Sequence, residues 1–109
     1  MNLYYTGIGD HARKFAEEME SSGTANLIRK EAGNIRYEYF LPISQPETVL
    51  LIDIWVNQEA IDRHHASPMM KTILDLREKY HLTVKAERYI TDKNGIPKED
   101  FNFIKKQER

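Results

Sequence analysis

The chain has 109 residues, enough for one hydrophobic core of modest size and not for two. Sixteen Lys and Arg stand against seventeen Asp and Glu, a formal charge of -1 with the signs interspersed, so no basic surface is offered to nucleic acid or to an anionic membrane. With no cysteine, disulfides, thiolate zinc sites and cysteine nucleophiles are excluded.

The opening Met1 to Tyr5 carries neither a basic n-region nor an apolar h-region, and the longest apolar run, Val49 to Val56, is broken by Asp53 and too short to span a bilayer. A cytoplasmic protein is expected. Asn2 to Ile8, rich in aromatic and β-branched residues and stopped by Gly9, predicts a first strand. Asp10 is placed as an N-cap for a helix with apolar positions Ala12, Phe15, Ala16 and Met19. Ser21, Ser22 and Gly23 interrupt it before Ala25, Leu27, Ile28 and Ala32 resume the pattern, so one kinked helix or two short ones are expected, ending at Gly33 in a left-handed conformation.

Ile35, Tyr37 and Tyr39 alternate with Arg36, Glu38 and Phe40 in a half-buried strand, which Pro42 to Pro46 turns back. Val49 to Val56 predicts a central strand apolar on both faces except at Asp53. Asn57 then caps a helix with Glu59 in its first turn, and Ser67 followed by Pro68 restarts it with Met69, Met70, Ile73, Leu74, Leu76 and Tyr80 as its apolar positions. Leu82 to Ile90 predicts the last strand, with Val84, Ala86 and Arg88 on one face and Thr83, Lys85, Glu87 and Tyr89 on the other.

Strand, helix, strand, strand, helix, strand is the α+β order of a ferredoxin-like split βαβ domain, an antiparallel four-stranded sheet with helices on one face. Residues 1–90 form this domain and 91–109 a tail in which Pro97 to Lys105 makes a short helix with Phe101, Phe103 and Ile104. The tail is expected to pack on its own domain or on a partner. The helix-free sheet face is apolar at the central strand, so a homodimer through sheet-to-sheet packing is expected.

Trp55 shares a strand face with Val49, Leu51 and Asp53 and is either a core or interface tryptophan or the wall of a pocket. His64 follows Ala60 and Ile61 by four and three residues on the buried side of its helix, while His65 is turned by about 100 degrees toward Asp62 and solvent. His64 is thus either a satisfied helix histidine or a base with access to any pocket at Trp55. Asp53, a carboxylate inside an apolar strand, needs a partner, for which Arg36 and Arg88 are candidates; an ion pair or a catalytic base are the two readings. Tyr4, Tyr5, Tyr37, Tyr39, Tyr80 and Tyr89 could donate phenol hydrogen bonds, though at strand spacing such residues are more often core. The adjacent His64 and His65 diverge and lack an HxxxH partner, and no Gly-rich phosphate loop occurs, so neither metal nor nucleotide cofactor is expected.

On Gly33-Asn34-Ile35-Arg36-Tyr37-Glu38, Asp53-Ile54-Trp55, and Ala60, His64, Ser67 and Pro68, the chain resembles the antibiotic biosynthesis monooxygenase family, including its small quinol monooxygenases, over Met1 to Tyr89. The resemblance implies a dimeric α+β barrel with a cavity in each subunit, and oxidation of a quinol-like or polyphenolic substrate by molecular oxygen without flavin, haem or metal. It makes His64 the catalytic residue and Trp55, Asp53 and Ile61 substrate-binding residues, with Asp53 where the family more often has glutamate. Related members degrade haem, pairing a tryptophan and a helix histidine with a first-strand asparagine, for which Asn2 is the sole candidate. That reading ranks second, beside a non-enzymatic dimeric module that binds an aromatic ligand and a structural dimer whose cavity is filled.

Overall fold

Nine short elements follow in chain order through residues 1–105, which the computed structural model describes. They are β1 (Asn2–Thr6), α1 (His11–Ser21), α2 (Thr24–Arg29), β2 (Asn34–Phe40), β3 (Thr48–Trp55), α3 (Gln58–His65), α4 (Pro68–Lys79), β4 (Thr83–Glu87) and a 3-10 turn (Lys98–Phe103). The four strands form one antiparallel sheet in the order β2-β3-β1-β4, so two βαβ units interleave as the split βαβ pattern requires.

Register decides which residues meet. Tyr5 lies opposite Val49 and Val84, Leu3 opposite Leu51 and Ala86, and Tyr37 opposite Asp53, so these share the inner face that the helices cover. Phe15 and Met19 of α1 and Ile28 of α2 fill the space above it and are fully buried with Tyr37, Val49 and Leu51. The other face carries Tyr4, Phe40, Leu50, Ile52 and Ile54, and no helix covers it. Among the described residues no helix is long and apolar enough to cross a membrane.

Of the two helical arrangements expected, the chain takes the two short helices, broken at Gly23, whose φ of 82° ends any straight continuation. Other local expectations are corrected. Asp10 makes no side-chain cap, because its backbone at φ -98° and ψ 14° is not in the extended conformation from which a capping side chain folds back; its carboxylate sits 3.7 Å from Lys14 Nζ instead. Ile35 is 61% exposed although its alternation with Tyr37 placed it inward, since a register shift between Asn34 and Arg36 throws it out of the ladder. Strand β4 stops at Glu87 and not at Ile90. Glu87 pairs with Asn2, the first residue of β1, and beyond it there is no strand to bond. Likewise Gly33 is not a helix terminator: α2 has already ended at Arg29.

In the single chain Phe101, Phe103 and Ile104 of the tail are exposed. Residues 106–109, to which the tail was expected to run, lie outside the described residues.

Candidate active site

Strand β3 sends Asp53 and Trp55 to the inner face two residues apart, and the chain then turns at once into α3. Asn57 makes that turn sharp, its Oδ1 accepting the Ala60 amide at 2.9 Å, so α3 begins within reach of the indole. One turn after Ala60, His64 points back at the strand. The rings of Trp55 and His64 stack with centroids 4.7 Å apart and planes 27° from parallel. His64 is 4% exposed.

Trp55 Nε1 donates to the Asp53 carboxylate. Asp53 is 5% exposed, and burial pushes its carboxyl above the usual carboxylate range, opposed by the indole hydrogen bond and by the nearby His64. The expected arginine partners are not there. Arg36 lies opposite Ile54, on the other side of the sheet, and pairs with Glu38 at 3.0 Å. Arg88 follows the end of β4, and among the described residues no cation stands within ion-pair distance of the Asp53 carboxylate; the Met1 ammonium donates to the Asp53 backbone carbonyl instead.

Asp53 and His64 share a cavity of about 200 Å³, walled otherwise by residues that include Leu3, Tyr5, Tyr37 and Met70. His65 joins its rim, exposed to solvent as its helical position required. Ile61 is not in this cavity. It lines a separate cleft of about 410 Å³ with Ile54, Trp55 and Arg88 to Thr91; Asp53 borders both spaces, whereas Trp55 lines the cleft and reaches the His64 cavity only through its stack on the imidazole. A wider open groove of about 750 Å³ between α1 and β2 is walled by Arg13, Glu17 and Tyr39 among others; of the three spaces only the smallest joins a histidine to the buried Asp53 carboxyl.

Two contributions to the cavity were missed. Glu31, in the loop after α2, brings Oε2 to 2.7 Å from His64 Nδ1; 33 positions apart, the pair is connected by nothing in the sequence. Tyr5 and Tyr37 appeared as core aromatics among six, and the register with Val49 and Asp53 is what turns them inward. Burial raises the Tyr5 phenol to about 12 and the Tyr37 phenol further still, so both remain protonated donors. Tyr37 also hydrogen-bonds Tyr39 through their hydroxyls at 3.1 Å. Tyr4 sits on the uncovered face, Tyr80 donates to Glu18 and Tyr89 is exposed, so these three lie outside the site.

A family model for antibiotic biosynthesis monooxygenases matches residues 2–76, from β1 into α4. The chain belongs to the antibiotic biosynthesis monooxygenase family. The matched span holds Glu31, Asp53, Trp55 and His64, and the tail lies beyond it. Solved structures of the same fold include a Deinococcus radiodurans protein classed with these monooxygenases, 22% identical, covering 84% of this chain and 98% of its own, with a TM-score of 0.62. A conserved Bacteroides thetaiotaomicron protein of unknown function, described as a possible oxidoreductase, is 17% identical over 77% of this chain and 86% of its own, with a TM-score of 0.67. A Nitrosomonas europaea protein classed with the family is 15% identical over 81% and 97%, with a TM-score of 0.58. Among curated proteins none matches this family member.

Proposed function

We propose that this chain is a cofactor-independent monooxygenase that oxidises a quinol-like or polyphenolic aromatic substrate with molecular oxygen, and that His64 is its proton acceptor. The observation that carries the reading is the placement of a buried imidazole and a buried carboxyl, His64 and Asp53, on one small cavity whose other walls are mainly apolar and aromatic. Among the described residues only the Nδ1 nitrogen of the His64 ring is hydrogen-bonded, which leaves Nε2 without a protein partner and not wholly enclosed.

A phenol bound there transfers its proton to Nε2. The phenolate is a far better electron donor than the phenol, and the apolar walls keep water from competing for the anion. For a benzene-1,4-diol the balance closes without a reductant: one oxygen atom enters the ring, the other leaves as water, and the substrate supplies all four electrons, ending as a hydroxyquinone. Asp53 accepts from the Trp55 indole and offers its remaining carboxyl oxygen as a polar contact for a second substrate oxygen. A volume of about 200 Å³ lies below the ~300–1,000 Å³ of usual ligand pockets and favours a single ring.

The helix-free sheet face supports a homodimer: Tyr4, Phe40, Leu50, Ile52 and Ile54, half-buried in the single chain, give it an apolar centre beside Arg36, Glu38 and Asn2. Haem degradation is less well supported, because Asn2 pairs with Ile52 on the outer face and lines the cleft beyond Trp55 and not the His64 cavity. The test is oxygen uptake by the purified, metal-free protein with a panel of reduced quinols and polyphenols. Uptake above the spontaneous rate that falls at least tenfold in His64→Ala supports the reading. No uptake with any member of the panel would leave a ligand-binding module as the better description.

A further inference from the structure

His64 is only useful as an acceptor if its neutral ring keeps the proton on the nitrogen that faces away from the cavity. We infer that Glu31 is the positioning residue that holds it so, and that the loop before β2 is built to deliver Glu31 to this place. The inference rests on the reading of His64 as a base but is tested separately from it.

The Glu31 carboxylate lies 2.7 Å from Nδ1 and, when ionised, can only accept, so Nδ1 carries the hydrogen and, in the neutral ring, the lone pair is left on Nε2. Free imidazole side chains favour the opposite tautomer, with hydrogen on Nε2. The carboxylate is itself held. The Glu31 amide donates to the Ile28 carbonyl at 3.0 Å and the Glu31 carbonyl accepts from the Asn34 amide at 3.1 Å, which ties both sides of the residue to the end of α2 and the start of β2.

Gly33 sets the distance between this loop and α3. Its backbone has φ of 89°, its carbonyl accepts the Val56 amide at 2.8 Å, and a Cβ there would fall 2.6 Å from Ala60 Cβ and 2.9 Å from Val56 Cγ2. Ala60 lies one helical turn before His64 on the same face, so the glycine that lets the loop touch Ala60 also lets Glu31 reach His64. Asp53, His65, Tyr5 and Tyr37 line the same cavity, but Asp53 bonds the indole, the His65 ring centroid is 5.8 Å away, and among the described residues Nδ1 is hydrogen-bonded to Glu31 alone. A carboxylate that orients a histidine through its distal ring nitrogen acts at one remove, and its loss costs about 10–100-fold where such pairs serve metal sites.

The experiment is nitrogen-15 NMR of the histidine side chains in the full chain, wild type against Glu31→Leu and Glu31→Gln, with oxygen-uptake kinetics on the same samples. Expected in the wild type is a neutral His64 with a pyrrole-type Nδ1 and a pyridine-type Nε2. Glu31→Leu should shift it toward the Nε2–H tautomer and lower kcat about 10–100-fold with KM little changed. Glu31→Gln, which retains an acceptor oxygen, should keep the wild-type tautomer and recover part of kcat. A wild-type ring with hydrogen on Nε2, or His64 signals unmoved by Glu31→Leu, overturns the inference even if turnover is robust; this wild-type measurement decides even if Glu31→Leu does not fold. The wild-type tautomer as expected in a protein with no oxygen uptake would sustain the role of Glu31 and sink the oxidation reading.

Discussion

The indole of Trp55 lies flat against the imidazole of His64, centroids 4.7 Å apart, while its Nε1 donates to the Asp53 carboxylate. One side chain therefore braces a candidate base with its face and satisfies a buried carboxyl with its edge. Trp55→Ala removes both at once. Trp55 is only partly buried, so the loss should fall at or below the lower end of the ~3–5 kcal/mol seen for large aromatic truncations, about 2–3 kcal/mol in urea unfolding. Trp55→Phe keeps the stack and loses the hydrogen bond, and should recover roughly half. Equal stability of the wild type and Trp55→Ala would show that the stack supports nothing.

Asp53 gives the fold a pH signature. Its folded-state carboxyl titrates above the ordinary value of 3.8 because burial penalises the anion. The native state then binds more protons than the unfolded chain between those two values, so the contribution of Asp53 is fully present below 3.8 and is lost as pH rises through the raised value. Asp53→Asn cannot ionise and retains an oxygen for Trp55 Nε1. Its stability relative to the wild type should grow in its favour as pH rises above 3.8 and then level off, measured by denaturant unfolding across pH. A difference that stays flat with pH would mean that the carboxyl is not desolvated.

Gly33 and Gly9 separate crowding from backbone strain. Both have positive φ, 89° and 60°, but nothing lies within 4 Å of a Cβ at Gly9. Gly9→Ala should cost about 1–2 kcal/mol for the left-handed conformation alone. Gly33→Ala adds the clash with Ala60 and Val56, for which overpacking costs of about 1–3 kcal/mol are usual, so a total near 2–5 kcal/mol is expected. Equal losses at the two sites would argue against a tight loop-to-α3 contact.

The uncovered sheet face can be tested without disturbing the core. Leu50 sits between Tyr4 and Phe40 on that face and is only half-buried in a single chain, so a lysine there keeps its ammonium within reach of solvent. Light scattering should give a dimer mass for the wild type at micromolar concentration and a monomer mass for Leu50→Lys, with little change in secondary structure. A wild-type monomer would remove the proposed dimer altogether.

How much of this was legible in the sequence follows from the range of each signal. Alternation along Thr48 to Trp55, helical spacing along α1 and α4, and the Asn57 cap are written within a dozen residues each, so element order, the α+β class and the pairing of Trp55 with His64 could be read directly. Strand ends were less legible, because β4 ends where β1 runs out of partners and not where its own composition changes. Asp53 was matched in the sequence to arginines that the sheet places elsewhere. Its partner is the indole two residues on, a choice that depends on which face of the sheet each side chain takes. Glu31 was invisible, since what brings it to His64 is the close approach of the Gly33 loop to Ala60. Local chemistry determined which elements form and which rings stand near the β3–α3 turn; packing between distant segments decided which carboxylates they meet, because that depends on contacts no periodicity encodes.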